Sequence, residues 1–223
     1  MQYLAENANV ISLTDLLVTD FVPAPLNCAI TWDDGYGSIH EYALPVLRKH
    51  NFPATVYVTT GLIGERQALT TGQDQGIFPG LRMLTWEQIE ELRENGFDIG
   101  GHLVSHLDLT ALNREQAVSE LTSSKAAIEL HTQTPCLDFA YPWGLANRTC
   151  AEWVRQSGYR SAVTTLHAPL HAHSDHMLLP RLTIAPSYDL PEFRAILRGD
   201  WDYLAILGRA KAQFRTVRAL AHA

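Results

Sequence analysis

The chain has 223 residues, 46% of them hydrophobic, and a formal net charge of −7 at pH 7. This length suits one domain with a buried core, and the charge argues against nucleic acid or an anionic membrane surface as the main partner. No run approaches the roughly 18 apolar residues that a transmembrane segment needs. The three cysteines have no metal-ligand spacing and are predicted to be buried free thiols. We therefore expect a single domain over residues 1–223.

Predicted strands and helices alternate along the chain, which favours a mostly parallel sheet covered by helices. Strands are predicted at 28–32, 54–59, 97–100, 137–141, 161–165 and 178–184. Helices are predicted at 14–19, 38–50, 85–95, 113–131, 147–157 and 190–197. The glycine-rich segment 61–80 is predicted to be a mobile loop. The basic tail 201–223 is predicted to be a helix packed on the domain, with contact to a membrane surface as the alternative.

Two adjacent carboxylates, Asp33 and Asp34, follow the strand predicted at 28–32 and precede Gly35. Ionised carboxylates are costly to bury unless a cation or a hydrogen-bond donor lies beside them. A turn that ends a strand explains the same Asp-Asp-Gly sequence equally well. The pair by itself leaves both interpretations open.

Two histidines, His102 and His106, follow the strand predicted at 97–100. Residues four apart lie on one side of a helical turn, so such a turn would bring both imidazoles together. Two histidines and one carboxylate are a common ligand set for Zn²⁺ or another divalent first-row metal. Solvated or buried structural imidazoles are the alternative for a lone pair. A third segment, 139–144, ends a strand-like run in a turn marked by Pro142 and Gly144.

The three segments, in this order, resemble the motifs of the polysaccharide deacetylase family, also called NodB-type or carbohydrate esterase family four. Residues 31–35 match its Thr-Phe-Asp-Asp-Gly motif, with Trp32 in place of Phe, and residues 102–106 match its His-x-x-x-His motif. Residues 142–144 match the end of its Arg-x-Pro-x-Gly motif. The whole segment 139–144 is most similar to family members that act on poly-N-acetylglucosamine. The resemblance implies a distorted (β/α) barrel of about seven parallel strands. It also implies a further strand upstream of residues 10–13, so we expect a late start or a shortened barrel.

The resemblance implies a metal site and the catalytic groups around it. Asp34, His102 and His106 would hold a divalent cation, with Zn²⁺ as the default and Co²⁺, Ni²⁺ or Fe²⁺ also suited to these ligands. Asp33 would act as the general base on water bound to the metal. The backbone N–H of Trp143 would donate to the oxyanion.

Substrate-binding residues are predicted around these catalytic groups. The rings of Tyr36, Tyr141 and Trp143 are expected to stack on sugar rings, with packing at the barrel rim as the alternative. The predicted substrate-binding set is Tyr36, Tyr141, Pro142 and Arg181.

The chain departs from the family pattern at three places. Ala140 stands where many members have the Arg of the third motif, and Arg181 is expected to replace it in orienting Asp33, with an ordinary structural ion pair as the alternative. Leu103 stands where the family usually has Ser or Thr, which removes one hydroxyl beside the metal ligands.

The family's Leu-x-His motif, which supplies the general acid, is missing near residues 178–184. His167 directly follows a predicted strand and is expected to protonate the leaving amine. The alternative is that His167 and the histidines after it belong to a solvated or adventitiously metal-binding loop.

The sequence therefore predicts a metal-dependent hydrolase that removes N-acetyl groups from N-acetylglucosamine units of a polysaccharide or oligosaccharide. Two alternatives stay open. One is another amide hydrolase on the same scaffold, such as a deformylase of a linked amino sugar or a cyclic-amide hydrolase. The other is a non-catalytic relative that binds carbohydrate. No Lys or Arg precedes Arg48, so the chain as written is expected in the cytoplasm, or in the periplasm or outside the cell if its N-terminus has been trimmed.

Overall fold

The computed structural model describes residues 1–18, 26–64, 81–171 and 173–204. Most of the loop predicted at 61–80 and most of the predicted tail helix therefore lie outside the described residues. No helix within the described ranges is long and apolar enough to span a membrane.

Seven parallel strands among the described residues form two sheets. The main sheet has the order β3-β4-β5-β6-β7, and the smaller sheet pairs β1 with β2. The strands are β1 (Ala8–Val10), β2 (Leu26–Cys28), β3 (Thr31–Trp32), β4 (Ala54–Val58), β5 (Phe97–Gly101), β6 (Asp138–Ala140) and β7 (Ser161–Val163). Together with the covering helices they form a curled half-barrel, which confirms the predicted α/β class.

The helices are α1 (Gln2–Asn7), α2 (Leu13–Val18), α3 (Leu44–His50), α4 (Trp86–Glu94), α5 (Arg114–Thr132), α6 (Arg148–Gln156) and α7 (Leu190–Leu197). Helix α1 precedes β1, no helix separates β2 from β3 in the described segment 26–64, and an α-helix follows each of the other strands. A π-helical segment (Ile39–Ala43) leads into α3, and short 3₁₀ segments lie at Thr60–Leu62, Leu109–Ala111 and Pro142–Gly144. Thr85 and Asn113 are the N-caps of α4 and α5, since each side chain accepts a hydrogen bond from the backbone N–H three residues later.

Strand β4 explains how the sheet divides the core. All five of its residues are buried, as expected for a parallel strand covered on both faces. Val56 packs in the cluster between sheet and helices, with Leu92 of α4 and Leu121 of α5. Tyr57 points to the opposite face, where it packs with Leu13 and other residues inside the barrel. Because the strands of the main sheet are all parallel, their carboxyl ends lie at one rim of the half-barrel.

Two strand predictions were wrong. The run at 28–32 divides into β2 and β3, which belong to different sheets, because Cys28 O accepts from Ile11 N while Ile30 O accepts from Thr55 N. The strand predicted at 178–184 is reduced to an isolated parallel bridge between Leu179 and Val163. The next residue, Pro180, has no N–H for a ladder.

Candidate metal centre and active site

Three side chains from separate chain segments converge at the rim of the half-barrel. Asp34 Oδ1 lies 3.2 Å from Nε2 of both His102 and His106. One ligand atom from each residue lies within 4.8 Å of the other two. The two histidine side chains are almost completely buried, whereas Asp34 is 21% exposed. The arrangement is a compact carboxylate–imidazole group that is open on one side.

The two histidines meet without the predicted helical turn. Leu103 and His106 have left-handed backbones, with φ of 64° and 49°, and residues 102–106 form no helix. The imidazole rings approach edge to face, with centroids 4.9 Å apart. The helical-turn prediction was therefore wrong, because an irregular loop brings the rings together.

A sharp turn after β3 separates the roles of the two aspartates. Asp34 and Gly35 both have left-handed backbones, with φ of 70° and 83°, a conformation that Asp tolerates better than most residues and that suits Gly. Gly35 O accepts from Leu84 N at 2.8 Å, which fixes the turn against the segment before α4. As a result Asp34 faces the two histidines, and Asp33 does not belong to that group.

The orientation of His102 fits a cation at this position. Its Nδ1 lies 2.7 Å from the carbonyl oxygen of Ala140. A carbonyl only accepts hydrogen bonds, so Nδ1 must hold a proton, and in neutral imidazole Nε2 then presents its lone pair to Asp34. Two acceptors facing each other at 3.2 Å require a positive charge between them, either a proton or a metal ion. The sequence does not predict this contact, because it uses a backbone carbonyl at an alanine.

The two imidazoles also determine the ionisation of Asp34. Burial by itself would raise the pKa of this carboxyl group, but hydrogen bonds and positive charge from His102 and His106 outweigh it and hold the pKa well below its usual range. Asp34 is therefore a carboxylate at neutral pH, as a metal ligand must be.

Asp33 is held separately by a bidentate ion pair with Arg181. The two guanidinium nitrogens Nη1 and Nη2 donate to the two carboxylate oxygens at 2.7 and 2.6 Å. Arg181 also donates from Nη1 to Thr31 Oγ1 at 3.1 Å and from Nε to Thr164 O at 2.8 Å. Burial would lower the pKa of Arg181, but Asp33 outweighs it and raises the pKa above its usual value. Arg181 thus lies where the sequence placed a substitute for the missing family Arg, while its role there stays a prediction.

The third motif forms a tight turn beside His106. Trp143 and Gly144 have left-handed backbones, with φ of 54° and 69°, and Thr165 Oγ1 donates to Trp143 O at 3.1 Å. A Cβ at Gly144 would collide with Thr165. The indole of Trp143 is 41% exposed, and its centroid lies 4.5 Å from that of His106. Thr165 was not among the predicted site residues.

A family model described as polysaccharide deacetylase matches residues 24–162, which is more than half of the chain. The chain belongs to the polysaccharide deacetylase family.

Curated relatives of this chain are distant in sequence. YxkH of Bacillus subtilis (strain 168) is 28% identical over 184 residues, covering 82% of this chain and 60% of the relative. A Staphylococcus epidermidis protein named poly-beta-1,6-N-acetyl-D-glucosamine N-deacetylase is 26% identical over 185 residues, covering 78% of this chain and 58% of the relative. The chain thus spans about 60% of the length of these relatives.

Solved structures share the fold of this chain. The Streptococcus pyogenes deacetylase PplD, in complex with acetate, aligns with a TM-score of 0.75 at 24% identity, covering 88% of this chain and 83% of that one. IcaB from Ammonifex degensii aligns with a TM-score of 0.72 at 22% identity, covering 88% of this chain and 85% of that one.

The rings predicted to bind substrate lie in different environments. Tyr36 is half-buried and forms an antiparallel bridge with Met83. Tyr141 is fully buried, and its hydroxyl donates to Met177 O at 2.9 Å. The prediction that the Tyr141 ring stacks on a sugar was therefore wrong, because the ring packs in the core. Pro142 is also buried, so Trp143 is the exposed ring of this motif.

The predicted general acid, His167, follows β7 and is half-buried. Its Nε2 atom is buried without a hydrogen-bond partner among the described residues. Burial lowers the pKa of His167, and the negative charge of Asp202 opposes this shift. Its role as proton donor stays a prediction.

Proposed function

We propose that this protein is a metal-dependent deacetylase that hydrolyses the N-acetyl groups of N-acetylglucosamine units in a polysaccharide or oligosaccharide. The observation that supports this most strongly is the division between the two aspartates. Asp34 converges with His102 and His106, whereas Asp33 is held apart by Arg181. Family membership supports acetyl-group hydrolysis, and the name of the Staphylococcus epidermidis relative supports N-acetylglucosamine as the sugar.

The proposed ligands Asp34, His102 and His106 suit a divalent first-row cation. One carboxylate and two imidazoles fit Zn²⁺ best and also suit Co²⁺, Ni²⁺ or Fe²⁺. When bound, such an ion lowers the pKa of a coordinated water and polarises the acetamide carbonyl. The Ala140 carbonyl keeps the His102 ring in the orientation and tautomer that ligation needs.

Asp33 is the proposed general base, which takes a proton from the attacking water. Each carboxylate oxygen has two acceptor positions, and Arg181 uses one on each. An acceptor position therefore remains for the water proton. The two hydrogen bonds from Arg181 fix the orientation of the carboxylate plane, whereas a carboxylate without such partners would rotate freely.

The turn at Trp143 is the proposed oxyanion site and sugar platform. Attack on the acetamide carbonyl places negative charge on oxygen, which a pre-positioned backbone N–H stabilises. The Thr165 hydroxyl donates to the Trp143 carbonyl and so fixes the peptide group that joins Trp143 to Gly144. The exposed indole next to His106 offers an apolar face to a pyranose ring.

His167 is the proposed donor of the proton that the leaving amine needs when the carbon–nitrogen bond breaks. Its lowered pKa makes the protonated form a minority at neutral pH. This role therefore requires that substrate binding brings the imidazole and the amine together before the proton is transferred.

Acetate release from purified, metal-loaded protein tests the proposal. The substrates are chitooligosaccharides and poly-β-1,6-N-acetylglucosamine, and the variants are Asp33→Asn, Asp34→Ala and the exposed control Glu152→Gln on α6. We expect the control to match wild type, Asp33→Asn to retain metal without activity, and Asp34→Ala to lose both. Activity that survives Asp34→Ala would overturn the metal assignment. Sugar binding without acetate release in the metal-loaded protein would favour a carbohydrate-binding relative, and formate release from N-formyl sugars would favour a deformylase.

A further inference from the structure

The segment that joins the two candidate histidine ligands, residues 102–106, is called the histidine loop here. Its residues Leu103 and His106 both have left-handed backbones, a conformation that persists in bulky residues only when surrounding contacts enforce it. The position of His106 relative to His102 therefore depends on what holds the histidine loop.

One side of the histidine loop is held through its carbonyl groups. The N–H groups of Thr60 and Gly61 donate to Leu103 O at 3.1 Å and to Val104 O at 2.9 Å. A Cβ at Gly61 would lie 2.5 Å from Val104 O, so only glycine allows this approach. The loop that follows β4 thus supports the carbonyl side.

The other side of the histidine loop is held by a single carboxylate, that of Glu120 on α5. Glu120 Oε2 accepts from the backbone N–H groups of Val104 and Ser105, both at 2.9 Å. Its second oxygen, Oε1, accepts from Ser105 Oγ at 2.9 Å. Bonds to a charged acceptor are stronger than those between neutral groups. The residue directly before His106 is therefore fixed at both its backbone and its side chain.

Helix α5 gives Glu120 a rigid base. The neighbouring residues Ala117 and Leu121 are fully buried in the core between α5 and the sheet. The Glu120 side chain is half-buried and points from this anchored helix to the histidine loop. A displacement of the carboxylate would free residues 104 and 105 and, with them, the backbone that orients His106.

We propose that Glu120 is a positioning residue for the metal site, which sets the geometry of His106 by holding the histidine loop through three hydrogen bonds. This inference rests on the proposed metal site. It assigns to Glu120 no contact with the metal or the substrate. The residue acts on the reaction only through the relative position of the two imidazoles.

The test compares variants of Glu120 with a matched residue on the same helix. Glu129 also accepts a hydrogen bond from a loop backbone N–H, that of Cys136 at 3.0 Å, and pairs with Lys125, but it lies near the C-terminal end of α5. The variants are Glu120→Ala, Glu120→Asp, Glu120→Gln and the control Glu129→Ala. The measurements are Zn²⁺ affinity by competition with a chromophoric chelator, the visible absorption spectrum of the Co²⁺-loaded protein, and the melting temperature of each apoprotein.

We expect Glu120→Ala and Glu120→Asp to lower Zn²⁺ affinity by about 10- to 100-fold and to shift the Co²⁺ spectrum. Glu120→Gln should retain most of the affinity, because its amide oxygen still accepts both N–H groups and its NH₂ group donates to Ser105 Oγ. Glu129→Ala should lower the melting temperature without changing affinity or spectrum.

Two outcomes overturn the role of Glu120 while leaving the proposed function intact. One is a Zn²⁺ affinity and Co²⁺ spectrum that match wild type in Glu120→Ala or, if that variant does not fold, in Glu120→Asp. The other is an equal loss of affinity in Glu129→Ala, which would indicate a general effect of destabilisation. Wild-type protein that binds neither metal would overturn both this inference and the proposed function.

Discussion

The guanidinium group of Arg181 holds both carboxylate oxygens of Asp33, across a sequence separation of 148 residues. The contact joins the turn after β3 to the segment that follows the Leu179 bridge, and so closes the rim of the half-barrel next to the candidate metal ligands. Held in this way, the proposed general base keeps one orientation whether or not substrate is bound.

The first prediction concerns Arg181→Lys. Lysine keeps the positive charge but cannot donate to both oxygens of Asp33 in one plane, so the carboxylate loses its fixed orientation. We expect kcat to fall by about 10- to 100-fold, which is less than the ~10²–10⁴-fold that a general acid or base contributes, because Asp33 itself remains. Zn²⁺ affinity should stay within about twofold of wild type. Steady-state kinetics and metal titration of the same samples measure both. A parallel loss of metal affinity would mean that Arg181 supports the metal site and not the base.

The motif residues show what the sequence alone could predict. The sequence predicts that the ends of parallel strands carry Asp33, Asp34, His102 and His106. The carboxyl ends of such strands meet at one rim. Alternation of strands and helices predicts that these segments lie at one rim, and the resemblance to the polysaccharide deacetylase family implies which of them group around a metal. The convergence of Asp34 with the histidines follows from this placement.

Other contacts at the site were beyond sequence reasoning, for identifiable reasons. The Ala140 carbonyl that orients His102 has no signature in residue type, because every residue has a carbonyl. Glu120 reaches the histidine loop because α5 packs against β5, a tertiary contact that the sequence does not specify. An acidic residue on an amphipathic helix is otherwise unremarkable. The burial of Tyr141 depends on Met177, which lies 36 residues later.

A second prediction concerns the turn of the third motif and uses two glycines with similar backbones. Gly144 and Gly96 have φ of 69° and 84°, so alanine at either position costs about 1–2 kcal/mol of left-handed strain. A Cβ at Gly96 meets nothing within 4 Å, whereas one at Gly144 collides with Thr165.

We therefore expect Gly96→Ala to lower the free energy of unfolding with little change in kcat. Gly144→Ala should also displace the Trp143 peptide and lower kcat by about 10²–10³-fold, the effect of losing one oxyanion donor. Urea unfolding and acetate-release kinetics on both variants measure the difference. Equal kcat values in the two variants would contradict an oxyanion role for this turn.

A third prediction concerns the cysteines, which are all free, as predicted, with Cys136 and Cys150 buried and Cys28 half-buried. Burial raises the pKa of Cys28 to about 11. It also raises the pKa of Cys136 to about 12, with a smaller opposing effect from Lys125. Thiols react as thiolates, so a thiol-reactive chromogenic disulfide at pH 8 should label these two residues in seconds only after denaturant is added.

The same shifts predict the alkaline stability of the protein. The folded pKa values exceed the unfolded value of about 8.5, so this contribution to stability is complete below pH ~8.5 and is lost as the pH rises towards 11 and 12. The double variant Cys28→Ser, Cys136→Ser should lose less stability than wild type between pH 8 and 10. An unchanged pH dependence of urea unfolding in the variant would count against buried, protonated thiols.

The last prediction separates the two functions proposed for Trp143. Its backbone N–H is the proposed oxyanion donor and persists in any substitution except proline, whereas its indole, 41% exposed beside His106, is the proposed sugar platform. Trp143→Ala should therefore raise KM for N-acetylglucosamine oligomers by about 5- to 150-fold, since stacking and burial of an aromatic ring contribute about 1–3 kcal/mol. A small acetyl ester has no sugar ring to stack on the indole, so kcat for this ester should fall by a much smaller factor than the rise in KM for the oligomers.

Trp143→Phe, which keeps an aromatic face, serves as the matched control and should recover most of the oligomer affinity. If the ester and the oligomer lost turnover equally in Trp143→Ala, the indole would be acting on the reacting carbonyl or on His106 and not on the sugar.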